Sequence, residues 1–500
     1  MTIAQPAGDA TTASAPDTRL LTEVVPDQVL PKVLNTFDLV SVYVFIIFFV
    51  SGSAIIAGGG WASMSMWVLG IVLFLIPAGM AVIELGGLWP AQGGVYVWSY
   101  HTMGETAAFV GGFLSWIPVI LGGLINPAAI VAYLTLAFGI TLGLTANIIC
   151  QLVVLWLTVA FALRKLRLTQ TLANGVMIFY TVLVIGMLAA GIGLALDHGK
   201  SATSFHIGDA VTFDFGTYGW IFGVVLLYLL GVETPFNMGA EFITARSAPK
   251  MVWWGSIALS VGYVIATLGM LFGMPPDQLD PITGPAKLYG ETGIPGLQAI
   301  AAIGIAVIIF TAYSIYNSAY SRLIFVSGLE RHLPRLFTHL NPRTRNPVTA
   351  LLIQGVICSV GIVGLYSQSS LTTVFLSLEG ALTVLWLISG FFFLVPLIIA
   401  RYKYAERYAT GDFWRIPGGR PTAIIVAAIG IAGTAAGIYY TITLPWSEDI
   451  TKGTWMTYIG VISAVTLALG ALVYVFGRRA ASKLSDDQRL AHLATLEAPA

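Results

Sequence analysis

Apolar residues along this chain come in long blocks separated by short polar or charged stretches. A block of about 20 such residues makes a helix roughly 30 Å long, the depth of a bilayer's hydrocarbon core. The strands of a membrane barrel alternate polar and apolar residues, and these blocks do not. The pattern predicts twelve spans, at 34–58, 67–88, 106–138, 141–163, 169–196, 218–242, 251–274, 296–326, 348–366, 372–399, 421–444 and 455–476. The expected fold is therefore an all-α membrane protein with twelve transmembrane helices. Two tails flank it. Residues 1–33, rich in Ala, Thr, Pro and Asp, are expected to be disordered, and 478–500 are short and mixed in charge.

Two spans carry interruptions. In the sixth, Gly231 frees the backbone, Thr234 is placed to cap a new helix with its hydroxyl, and Pro235 suits a first helical turn. One helix is expected to end near Gly231 and another to begin near Pro235. Unpaired backbone groups are tolerated at membrane depth only inside protein or beside a wet cavity. Glu233 sits at this break, where a carboxylate costs roughly 2.5–3.5 kcal/mol on insertion scales and marks a substrate or proton path. The plainer alternative is a protonated glutamate that ties helices together. In the first span, Phe49-Val50-Ser51-Gly52-Ser53-Ala54 breaks an aromatic and β-branched run with small residues, which also serve close helix packing. The two interruptions lie five spans apart, and an odd offset inverts the second block relative to the first. Paired interruptions of this kind point to a transporter built from inverted repeats with its site at the midplane. The repeats would be 34–196 and 197–400, with the two spans of 401–477 peripheral.

Composition agrees: 57% of residues are hydrophobic and 10% charged, against about a quarter charged in soluble domains. If the N-terminus is cytoplasmic, all 24 lysines and arginines except Lys200, Lys287 and Lys452 fall on the cytoplasmic side. Both termini are thus expected in the cytoplasm, with the chain multi-pass in the cytoplasmic membrane. No lysine or arginine lies deep in a span. Cys150 and Cys358 form neither a disulfide framework nor a metal-ligand spacing, and no cofactor or metal is expected.

Other candidates carry two readings each. Glu379, a second deep carboxylate, either reaches a wet vestibule or snorkels. Asn126, before Pro127, serves helix–helix hydrogen bonding or substrate contact. The hydroxyls between Tyr313 and Ser321 coordinate a cation or satisfy backbone. The glycine-rich segment from Glu84 to Tyr96 suits a re-entrant turn, although an ordinary connector is preferred on chemistry alone. The six histidines form no catalytic set, so an enzyme is not expected.

Together these residues resemble the amino acid, polyamine and organocation transporter superfamily over nearly the whole membrane part. The resemblance rests on Gly231-Val232-Glu233 with Glu241 trailing, on Glu84 to Tyr96, and on Asn317 to Arg322 followed by Leu333-Pro334. With Arg415-Ile416-Pro417-Gly418-Gly419, the chain looks most similar to the bacterial glutamate and γ-aminobutyrate antiporter group. The resemblance implies a five-plus-five inverted repeat with helices one and six unwound around an amino acid. It places the substrate carboxylate at the amides of Ser53 and Ala54, and its ammonium at the carbonyls of Val50, Leu227 and Leu230. Leu227 stands where some antiporters of the family put a gating aromatic. The span-five lysine of some proton-coupled relatives is absent, and Glu379 has no counterpart in the glutamate antiporters.

The expected function is a secondary transporter of an amino acid or related amine, working by exchange or proton symport. A polyamine or basic amino acid transporter is the alternative within that class, and a non-transporting amino acid receptor of the same fold is the alternative outside it. The candidate binding set is Val50, Ser51, Gly52, Ser53, Ala54, Asn126, Leu227, Leu230, Gly231, Glu233 and Glu379, with Glu233 and Glu379 as candidates for proton coupling. Expected partners are a small-molecule substrate, possible protons and the lipid bilayer, with no nucleic acid.

Overall fold

The computed structural model describes residues 20–481, apart from 245, 368 and 369, together with residue 493. A short helix α1 (Leu21–Val29) precedes α2 (Thr36–Ile47) and α3 (Ser51–Ala57). Then follow α4 (Ala62–Leu88), a short α5 (Val95–Met103), α6 (Glu105–Phe138), α7 (Leu144–Ala162) and α8 (Leu166–Asp197). The second half holds α9 (Phe215–Leu227), a 3₁₀ segment (Thr234–Glu241), α10 (Ser247–Gly273), α11 (Gly284–Glu291), α12 (Leu297–Leu329), α13 (Val348–Tyr366) and α14 (Leu371–Lys403). A one-turn α15 (Ala405–Thr410), α16 (Gly419–Thr443) and α17 (Lys452–Ala481) close the chain.

Ten helices among the described residues are long and apolar enough to cross a bilayer, eleven if the bent pair α2 and α3 counts as one span. The remainder of the expected twelve is the sixth region, where only the 13 residues of α9 are α-helical. The chain there passes into turns and 3₁₀ geometry before it has crossed.

The innermost helices are α6, α12 and α14, whose sides are mostly buried, whereas α7, α13 and α17 expose apolar faces. α6 packs along both α12 and α14, and α8 along α10. At the start of α2, the Asn35 side chain accepts from the Asp38 amide at 3.0 Å while Asp38 accepts from the Asn35 amide at 3.1 Å. This reciprocal cap satisfies two orphan donors at the helix start.

Residues 21–29, expected within a disordered tail, form an ordered helix. Its Thr22 amide donates to Glu330 at 2.7 Å, its Thr22 hydroxyl donates to the Gln92 carbonyl at 3.0 Å, and Glu23 pairs with His101 at 2.9 Å. Val25, Val29 and Leu30 pack on Phe325 and Leu329 of α12. That apolar contact, invisible in the tail's own composition, supplies the burial a disordered segment lacks. The segment after Glu84 also departs from an ordinary connector. Gly93 and Gly94 take positive φ and turn the chain back into α5, a helix whose first five residues are all buried.

Two buried ion pairs lock this same face. Arg322 of α12 donates to Glu241 through Nε at 3.0 Å and Nη2 at 2.8 Å, and reaches the Asn346 side chain at 3.2 Å. Arg401 of α14 donates to Glu84 of α4, which also accepts the Tyr408 hydroxyl at 2.9 Å and the Ile416 amide at 2.7 Å. Two arginines are therefore buried within helices, an arrangement a buried charge tolerates only with such partners. The serine hydroxyls of α12 satisfy backbone: Ser314 donates to the Phe310 carbonyl and Ser321 to that of Ser318.

Candidate substrate-binding site

The break between α2 and α3 spans Phe48 to Val50 and bends the pair by 48°. Its backbone groups are not bare. The Tyr263 hydroxyl of α10 donates to the Ile47 carbonyl at 2.7 Å and accepts the Phe49 amide at 2.9 Å. The Tyr180 hydroxyl of α8 donates to the Phe48 carbonyl at 2.7 Å. The Phe48 ring stacks on Tyr180 at 4.8 Å and meets Tyr263 edge-on at 4.5 Å, so one aromatic residue holds both tyrosines where their hydroxyls reach the backbone of residues 47–49. The Val50 carbonyl accepts from the Ser53 amide at 3.0 Å and the Ser53 hydroxyl at 2.7 Å. These bonds correct two expectations. Val50 offers no free carbonyl and Ser53 no free amide, because a tight local turn uses both.

The second break is longer and differs from the expected one. α9 ends at Leu227, four residues before Gly231, and the segment beyond Glu233 is 3₁₀ rather than α-helical. Thr234 caps nothing; its hydroxyl pairs with that of Tyr320 at 3.0 Å. Pro235 does lie in the first turn of the 3₁₀ segment. Gly231 adopts φ +111°, and a Cβ there would lie 2.8 Å from the Trp386 ring and 3.1 Å from Ile47. Both the dihedral and the contact demand glycine. Glu233 is buried behind this ring and accepts its indole N–H at 2.7 Å, tying the break to α14.

Between the breaks lies a narrow cavity with about 40 Å³ of free space, room for only a few waters. Ser51, Asn126, Leu227, Leu230 and Glu379 of the expected set line it, together with Tyr228, Phe49, Tyr316, Phe375 and Trp386. Asn126 does not reach another helix; its side chain donates to the Gly122 carbonyl of its own turn at 2.8 Å. Glu379 neither snorkels nor faces lipid, for Tyr228 donates its hydroxyl to Oε1 at 2.9 Å and the side chain is buried.

Six members of the expected set stand outside the lining. Val50 and Ser53 are engaged in the turn just described, and Gly52 lies flat against the Tyr228 ring. Gly231 and Glu233 sit behind Trp386. Ala54 faces a separate, wider vestibule of about 680 Å³ on the side opposite α1, lined also by Trp220, Asp277, Glu448 and Asp449. The aromatic wall escaped the sequence reading. Tyr316 lay within the hydroxyl-rich stretch from Tyr313 to Ser321, but nothing in the sequence around Tyr228 or Trp386 distinguishes a cavity-facing ring from a core one.

Residues 34–467 match the amino acid permease family. This chain belongs to that family. The permease is 24% identical to the methylthioribose transporter of Bacillus subtilis over 91% of its own length and 95% of the relative's. It is equally 24% identical to an uncharacterized transporter of Legionella pneumophila, over 80% of this chain and 87% of that one. A probable agmatine/putrescine antiporter of Lactococcus lactis is 21% identical over 50% of the permease and 54% of the antiporter. Among solved structures, the manganese transporter of Eremococcus coleocola superposes with a TM-score of 0.58 at 13% identity, over 92% of the permease and 99% of that chain. MhsT bound to L-phenylalanine superposes with a TM-score of 0.59 at 12% identity, over 81% and 98%. At such identities the likeness concerns the fold. The permease is thus a multi-pass transporter and not an enzyme.

Proposed function

We propose that this permease carries an amino acid or related amine across the cytoplasmic membrane by alternating access, in exchange or together with protons. The observation that carries the reading is the shared cavity: residues of both interrupted spans, Ser51 on one side and Leu227, Tyr228 and Leu230 on the other, line a single narrow space. Family membership supports it, and so does a fold shared with a manganese transporter and with MhsT, solved in complex with L-phenylalanine. On this reading 34–196 and 197–400 act as inverted repeats that rock about the cavity, and the charge distribution sets both termini in the cytoplasm. The wide vestibule at Ala54 is then the outer approach.

The carbonyl of Leu230, like those of Tyr228 and Leu229, accepts no hydrogen bond from the described residues, and Leu230 lines the cavity, which makes it an open acceptor for an ammonium group. The lining argues against a net anion such as glutamate, because it holds the acid Glu379 and no lysine, arginine or histidine to pair with one. Glu233 is the candidate for proton coupling, being buried at the break and joined to the cavity wall through Trp386. Counterflow tests the proposal: proteoliposomes preloaded with single amino acids or amines should take up the labelled compound for at least one member of the panel. Absence of uptake for every member, at all pH values tried, would overturn transport.

A further inference from the structure

One half of the Glu379 carboxylate is unaccounted for. Oε1 accepts the Tyr228 hydroxyl at 2.9 Å, whereas Oε2 is buried with no hydrogen-bond partner among the described residues. The side chain is 5% exposed, and the cavity it lines contains no lysine, arginine or histidine. Both arginines buried within helices are already held, Arg322 by Glu241 and Arg401 by Glu84. Thr383, one turn on, donates to the Glu379 backbone carbonyl rather than to the carboxylate. A buried acid with an open oxygen is costly to keep, and such groups persist where a cation visits them.

The walls around it suit the same visitor. The rings of Phe49, Tyr316 and Trp386 line the cavity, with Tyr316 edge-on to Phe49 at 6.1 Å between centroids and to Trp386 at 6.3 Å. Aromatic faces attract ammonium and guanidinium groups, more strongly when water is excluded. The vestibule on the far side of Ala54 is lined by Asp277, Glu448 and Asp449 and by no basic residue, so it concentrates cations at the approach. The receptors expected for a substrate carboxylate are weak here, since the Ser53 amide is spent on Val50. A metal ion fits poorly: among the described residues no group of three or more His, Cys, Asp or Glu could hold one.

Building on the transporter reading above, we infer that the substrate is an organic cation, whose ammonium or guanidinium group is received by Glu379 within the ring of Phe49, Tyr316 and Trp386. Diamines, guanidino amines and basic amino acids share that group. A cation of this size requires the cavity to open before it enters.

The test is counterflow with labelled putrescine, agmatine, arginine, lysine, leucine and glutamate, each against its own unlabelled preload. At least one of the four cations should exchange, with leucine and glutamate at least ten-fold slower. Putrescine and agmatine against arginine and lysine decide whether a carboxylate is tolerated. Glu379→Gln should lower cation exchange ten-fold or more, and Glu379→Asp should retain part of it, both variants eluting as monodisperse protein in detergent. If the glutamine variant is not monodisperse, thermal stabilisation of the aspartate variant by the cations serves instead, and stabilisation equal to wild type would overturn the assignment. Wild-type exchange of leucine or glutamate alone overturns the cationic class and leaves the transporter reading standing. No exchange, but stabilisation of the purified protein by the cations only, keeps the binding assignment and overturns transport; no exchange and no stabilisation overturns both. Cation exchange at wild-type level in Glu379→Gln, with only its pH profile altered, makes Glu379 a proton carrier and refutes the proposal.

Discussion

Gly231, Trp386 and Glu233 form one mechanical unit. The positive φ of Gly231 brings its Cα against the Trp386 ring, and the indole N–H of that ring is the donor to Glu233. Gly231→Ala should therefore destabilise the protein by more than ~1 kcal/mol, through both strain and overlap, read as a drop in the melting temperature of purified protein. Trp386→Phe removes the donor and leaves a buried carboxylate oxygen unsatisfied, at a cost of about 1–3 kcal/mol. Glu233→Gln is different, because an amide oxygen still accepts from the indole. This variant should fold normally and lose most of its transport. Normal uptake with a normal pH dependence would show that Glu233 only holds the break. The presence of the glycine and the acid was evident from residue order, but the ring that joins them comes from a helix more than 150 residues away and was not.

Among the elements, the broken sixth region is anchored at its far end by the Glu241–Arg322 pair, both residues 1% exposed. Arg322→Ala should cost about 3–5 kcal/mol because it strands Glu241 in a buried site. Replacing both residues with apolar ones should recover part of that loss, a comparison thermal unfolding makes directly. The α1 strap responds to pH. Burial pushes the Glu23 carboxyl up, but the hydrogen bond and charge of His101 and the Leu20 amide more than offset it, so it lies below its ordinary value. A depressed carboxylate stabilises docking above the usual glutamate value of about 4.3 and loses that contribution as pH falls through the lower folded value. Hydrogen exchange over residues 21–29 should accelerate below that range, and Glu23→Gln should remove the pH step.

At the scale of the molecule, an acidic vestibule on one face lies apart from a narrow cavity between the two breaks. If Asp277, Glu448 and Asp449 concentrate cations, neutralising all three should raise the KM for a cationic substrate and leave kcat nearly unchanged, with added salt mimicking the change in the wild type. Access is testable in the same geometry. In a background with Cys150 and Cys358 replaced by serine, Glu448→Cys should react with a membrane-impermeant thiol reagent from the side opposite the termini. Protection of that cysteine under every condition would contradict an outward approach through the vestibule.

The order of apolar blocks was enough to establish a helical membrane protein, because a span must satisfy its backbone within itself and its length is set by the bilayer. The same order marked interruptions near Phe49 and around Gly231, since glycine and proline act locally, although the first break falls on Phe48 to Val50 and the small residues Ser51 to Ala54 lie inside α3. It could not say that Tyr180 and Tyr263 would cap the first break, that Arg322 and Arg401 would be buried on glutamates, or that residues 21–29 would dock as a helix. Each of those facts is a contact between residues distant in sequence, chosen by packing. Glu379 shows the division most plainly. Its depth was legible from hydropathy, but only the tertiary structure set its open oxygen against a wall of aromatic rings, where local sequence carries no signal because any buried ring looks alike along the chain.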